Sequence, residues 1–139
     1  MRWLVPALGL LLSGQLQAQQ GRLPLREVAE ETRAQWQQQD AIGLVARSPQ
    51  LVIQLPGADP SAPVQRQQAT KLLKDFFERS EEVEILLYDA QELDNGWGLV
   101  ELRRRYRVKG TQDVRDQLLL LSYRQSGSGW ALVELRVGR

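Results

Sequence analysis

Cysteine and histidine are both missing from the 139 residues, and methionine occurs once. The first absence excludes a disulfide scaffold and any thiolate chemistry. A domain of this size must then hold together by its core alone. The second removes the side chain most often used as a general base near neutral pH and the commonest ligand for zinc, copper and iron. Acidic residues are scattered, and no loop has calcium-site spacing, so neither a metal nor a cofactor is implied. A dominant charge is lacking too: the formal net charge is +1. Without a global field or a binding motif, and with Glu101 and Asp116 among the arginines, nothing points to nucleic acid.

One apolar run stands out, from Trp3 to Leu12. It follows Met1 and Arg2 and leads into Ser-Gly-Gln-Leu-Gln-Ala-Gln from Ser13, the layout of a secretory signal peptide with cleavage after Ala18. The run is about half of the ~20 residues a membrane-spanning helix needs, so no span is expected after processing. The expected destination is the periplasm or the extracellular side of a bacterial envelope. Residues 19–24 then form a short linker and 25–139 a single domain, since about 120 residues bury one core and not two.

Helical spacing of Leu25, Val28, Ala29, Thr32 and Trp36 predicts an amphipathic helix from Arg22 to about Gln39. Asp40 caps a short second helix, Ala41 to Arg47, and "LVIQLPG" from Leu51 gives a strand ended by Pro56-Gly57. Ser61 is the expected cap of a further helix whose apolar set is Ala69, Leu72, Leu73, Phe76 and Phe77. Beyond Ser80 the period changes to two. Val83 to Leu93, Trp97 to Lys109, Asp113 to Gln125 and Trp130 to Val137 read as four long strands joined by short turns, hence an antiparallel meander. Long antiparallel strands coil. The expected fold class is α+β: N-terminal helices packed on a strongly curved, mostly antiparallel sheet, a cone-shaped α+β barrel.

The stretch "LRRRYRV", residues 102 to 108, places four arginines beside a tyrosine. Strand alternation turns Leu102, Arg104, Tyr106 and Val108 inward and Arg103, Arg105 and Arg107 outward. A two-residue Asn95-Gly96 loop pairs Leu102 with Asp89 and Arg104 with Leu87, leaving Asp89 diagonal to Arg104 on the inner face. A loop one residue longer slips every pair and turns Leu86 and Tyr88 inward. The next hairpin pairs Arg107 with Asp116 and sets Leu118 and Leu120 beside Arg105 and Arg103. A guanidinium pointing into a partly apolar trough must be paired, solvated or bound to an anion. The ligand-pocket candidates are therefore Arg104, Tyr106, Asp89, Leu102, Phe76 and Trp36, with Tyr88 and Tyr123 as further members of a polar cluster. On the other side, "QLLLLSY" is apolar on both faces, as a strand is when both are covered. Leu118, Leu120, Arg103 and Arg105 are candidates for a homodimer face, or for a face that receives another envelope protein.

The order "DAIGLVA", "LVIQLPG", "KLLKDFFERS", then long hairpins carrying "YRV" and a closing "GWALVELRV", resembles the nuclear-transport-factor-like, or cystatin-like, α+β cone superfamily. Within it the chain is similar to small exported bacterial proteins of unknown function. The resemblance covers roughly 25–139 and implies a cone pocket. The superfamily's enzymes work there through a carboxylate or an Asp–His pair, with a tyrosine or protonated acid stabilising an enolate. Here histidine is absent and "LVIQLPG" carries no acid, which counts against an isomerase. An arginine beside Asp89 would also hold its pKa down, unsuiting it as a base. The reading is a non-catalytic domain that binds a small apolar or anionic ligand in its pocket or a protein partner on its convex face. The alternative is a cofactor-independent isomerase or lyase.

Overall fold

The computed structural model describes residues 23–138. The expected leader, 1–18, and most of the 19–24 linker lie outside the described residues. Helix α1 spans Leu25–Gln37 and buries Leu25, Val28, Ala29, Thr32 and Trp36, the whole predicted stripe. Full burial of one such apolar side chain contributes about 1.5–3 kcal/mol, so this stripe fixes the helix on the sheet. Pro24 at its start offers no side-chain cap, and the Leu25 amide instead donates to Glu92 Oε2 at 3.2 Å. The end of a distant strand thus closes the helix. Gly98 admits this approach, because a Cβ there would meet Leu25 Cδ2 at 2.7 Å.

Helix α2 is shorter than expected, Ala41–Leu44, with Asp40 accepting from the Gly43 amide at 3.0 Å. Strand β1 is Gln50–Gln54 and β2 is Val64–Gln65, a two-residue strand that periodicity gave no means of seeing. Helix α3 runs Arg66–Phe77 and buries Ala69, Leu73 and Phe77, while Leu72 and Phe76 stay half-buried. Ser61 does not cap it. Its hydroxyl accepts from the Ile53 amide at 3.0 Å, tying the loop back to β1. Strands β3 (Ser80–Glu92), β4 (Trp97–Val108), β5 (Val114–Ser126) and β6 (Gly129–Gly138) follow.

The six strands lie in the order β2-β1-β6-β5-β4-β3, all antiparallel except β1 beside β6. This is the expected α+β architecture, and the sheet is open, with β2 and β3 at its two edges. The helices cover the inner face, and the core gathers Trp36, Leu73, Phe77, Leu102, Leu119, Leu121 and Leu135 between the layers.

Candidate functional site

Register decides what surrounds the inward arginine. The Leu93 amide donates to the Trp97 carbonyl at 2.8 Å, so the β3–β4 turn holds the three residues Asp94, Asn95 and Gly96 rather than two. Gly96 takes the positive φ, 82°, that such a turn requires. The slip that a longer loop should cause is undone farther along. Register shifts at Tyr88 and at Val83 each insert one residue on β3, so that Leu102 faces Leu87, Arg104 faces Ile85 and Tyr106 faces Glu82. The first bulge keeps Leu86 outward; the second turns Glu82 inward and leaves Val83 43% exposed. Asp89 faces Glu101 on the outer side of the sheet, exposed, and is not the partner of Arg104.

That partner is Glu82. Its two carboxylate oxygens accept from Arg104 Nε at 3.2 Å and from Arg104 Nη2. Nη2 also donates to Ser80 Oγ at 2.8 Å, and Nη1 to Gln117 Oε1 at 2.8 Å. Around the guanidinium carbon stand the rings of Tyr106, Phe76 and Trp36, at 4.2, 5.2 and 5.5 Å. The two charged side chains are 0% and 2% exposed. Burial raises the Glu82 carboxyl above its ordinary value, against the opposing pull of Arg104. The Trp36 indole N–H is close enough to favour the ionised carboxylate, yet completes no hydrogen bond of acceptable geometry. Gln39 Nε2 donates to the Phe77 and Ser80 carbonyls at 3.3 and 2.9 Å, fixing the backbone from which Ser80 and Glu82 project.

A cavity of about 420 Å³ opens beside this cluster, lined by Leu55, Leu72, Phe76, Tyr106, Val108 and Gln117 and reaching Ser80 and Arg104, with Asp75 and Arg79 at its wall. Of the pocket candidates, Arg104, Tyr106 and Phe76 line it. Trp36 and Leu102 are fully buried behind it, and Asp89 is elsewhere. The three tyrosines do not form one cluster. Tyr88 is 60% exposed on the outer face with the Arg103 guanidinium 3.4 Å from its ring centroid. Tyr123 is buried under α1, its hydroxyl 2.7 Å from Thr32 Oγ1, and burial pushes its pKa up to about 12. Sequence reasoning missed Glu82, Ser80 and Gln117. A run of acids at both strand parities, Glu81-Glu82-Val83-Glu84, was the available signal.

The outer face is the second candidate. Across it Arg103 lies between Leu86 and Leu118, Glu101 between Asp89 and Leu120, and Arg105 between Glu84 and Asp116. Asp116 therefore pairs with Arg105, at 3.0 Å, and not with Arg107, which meets Glu81 at 3.6 Å; the β4–β5 turn shifts the register by two and so preserves the faces. Leu86, Tyr88, Leu99 and Leu120 remain 43–60% exposed there. A cavity of about 440 Å³ on this side is lined by Glu84, Leu86, Arg103, Arg105, Asp116 and Leu118. Among the described residues no helix is long and apolar enough to cross a membrane, and no group of three or more His, Cys, Asp or Glu is placed to hold a metal ion.

No known protein family matches the sequence, and no curated protein does. Solved structures do match in shape. A ketosteroid isomerase-like protein from Erwinia carotovora atroseptica superposes with a TM-score of 0.65 at 14% identity, over 81% of this chain and 91% of that one. An NTF-2 like protein of unknown function from Shewanella oneidensis gives 0.60 at 12% identity, over 81% and 94%. The chain has the NTF2-like fold. A domain of unknown function with a cystatin-like fold from Nostoc punctiforme gives 0.63 at 15% identity, over 79% and 71%. At these identities the likeness establishes the architecture alone, because NTF2-like folds host unrelated chemistries.

Proposed function

We propose that this chain is a non-catalytic, exported NTF2-like domain that associates through the convex face of its sheet with a second copy of itself. The observation that carries the reading is the set of large apolar side chains, Leu86, Tyr88, Leu99 and Leu120, left 43–60% exposed on one sheet face. Several large apolar side chains exposed together on one face of a domain point to an interaction surface. The charges interleaved with and flanking these side chains are mixed in sign: Arg103, Arg105, Arg107 and Arg136 stand with Glu81, Glu84, Glu101, Asp116 and Glu134. A face that carries both signs can answer its own charges in a copy related by two-fold symmetry, as an isologous interface requires. Export rests on the leader-like first 18 residues.

The isomerase or lyase alternative needs a carboxylate free to take a proton. Glu82 is committed to Arg104, Asp89 faces outward, β1 carries no acid, and Asp75, the carboxylate at the cavity wall, is exposed to solvent rather than enclosed in the apolar interior. A small apolar ligand at the cone mouth is the second reading, favoured by the cavity of about 420 Å³ floored by Phe76, Tyr106 and Leu72. Sedimentation velocity separates the readings. The purified domain should sediment as a dimer at micromolar concentration, and Leu120→Glu, at an exposed position, should make it monomeric with its melting temperature unchanged. A monomer at every concentration overturns the dimer reading and turns attention to the cone mouth.

A further inference from the structure

Arg104 is held more completely than neutralising one buried charge demands. Its planar fork meets both oxygens of Glu82, the Ser80 hydroxyl and the Gln117 carbonyl, and three aromatic rings stand within 5.5 Å of its central carbon. A bidentate carboxylate, further in-plane acceptors and an aromatic cage are together the features by which proteins recognise guanidinium and related cations. An apolar residue of similar volume would often be at least as stable in a core. These groups come from five separate elements, α1, α3, β3, β4 and, through Gln117, β5.

We infer that the buried cluster behind the cavity at the cone mouth is a guanidinium-binding site that the chain fills with its own Arg104, and that the site, with this side chain removed, takes a free alkylguanidinium. The ligand class of the inner cone is thereby inverted. Arg104 presents no spare charge to an anion, because Glu82 already neutralises it, whereas the groups that surround it are matched to a planar cation. The neighbouring cavity reaches Ser80, Arg104 and Gln117, so a small cation entering from solvent meets the site directly. The intact chain is self-liganded and refuses the same compound. This inference concerns the inner side of the sheet and stands whether or not the convex face dimerises.

The test uses the full chain with Arg104→Ala, which removes the atoms that ethylguanidinium supplies. Ethylguanidinium at millimolar concentration should raise the melting temperature of this variant by several degrees in a saturable manner and leave the wild-type chain unmoved. Ethylammonium, which lacks the fork, should bind about tenfold more weakly, a difference of ~1.4 kcal/mol, and acetate should not bind. If Arg104→Ala is unfolded in plain buffer, recovery of its near-ultraviolet circular dichroism on adding ethylguanidinium is the equivalent readout. Adding Glu82→Gln removes the unpaired buried carboxylate, so the double variant should fold and lose the response. Absence of both shift and recovery at saturating ethylguanidinium, an equal response to ethylammonium, or a response that survives Glu82→Gln overturns the inference.

Discussion

Adjacent arginines on β4 have opposite fates. Arg104 is 1% exposed, bound to three side chains and enclosed by rings, whereas Arg103 and Arg105 stand with half of their side chains in solvent beside Glu101 and Asp116. The residue type is the same and the strand is the same. What differs is the medium on each side of the sheet. In the dry interior a guanidinium without partners is so unfavourable that the surrounding sequence must supply a carboxylate, whereas on the surface water screens the charge and an ion pair is worth little. An inner arginine is therefore committed to structure, and the outer ones are available for recognition.

The contrast can be pressed hardest through the inner face. Tyr123 is raised from an ordinary 10.0 to about 12, first by burial, with Thr32 opposing the shift. The folded chain holds that proton more tightly than the unfolded chain. The sign follows: its contribution to stability is fully present below pH 10 and is lost as pH rises through about 12. The loss should amount to roughly 2–3 kcal/mol across that window. Urea denaturation between pH 9 and 12 should show it, and Tyr123→Phe should flatten this part of the profile; an identical decline in Tyr123→Phe would assign it to other groups. The smallest effect belongs to the outer face. Asp116→Ala breaks the exposed pair with Arg105 and should change monomer stability by no more than the scatter between replicate urea titrations. A loss several times larger in the same denaturation experiment would mean that the outer charges are structural after all, and the distinction between the faces would fail.

Much of this arrangement was legible in the residues. The helical stripe Leu25, Val28, Ala29, Thr32 and Trp36 is buried throughout, and the alternation of "LRRRYRV" holds, with Leu102 and Arg104 inward and Arg103 and Arg105 outward. Both signals are local periods, and each element imposes its own. The partner of Arg104 was not legible in the same way. Assigning Asp89 rested on a two-residue turn; the three-residue turn sets Asp89 opposite Glu101 on the outer side, and two bulges farther along β3 then turn Glu82 inward. A bulge answers to sheet curvature and to what must be paired inside, which no single strand declares. The parallel pairing of β1 with β6 is likewise a tertiary fact. The exposure of Tyr88 follows from the first bulge, so its place on the outer face became visible only with the register.

The central claim is that Arg104 and Glu82 form one structural unit inside the cone, and a double-mutant cycle of Arg104→Leu and Glu82→Leu in urea denaturation tests it most directly. Each single variant should lose about 3–5 kcal/mol, because each leaves a buried charge unpaired, and the double variant should regain most of that loss. Additive losses, or single variants as stable as the wild type, would show that the two side chains do not depend on one another and would return Arg104 to the pool of residues free to bind a ligand.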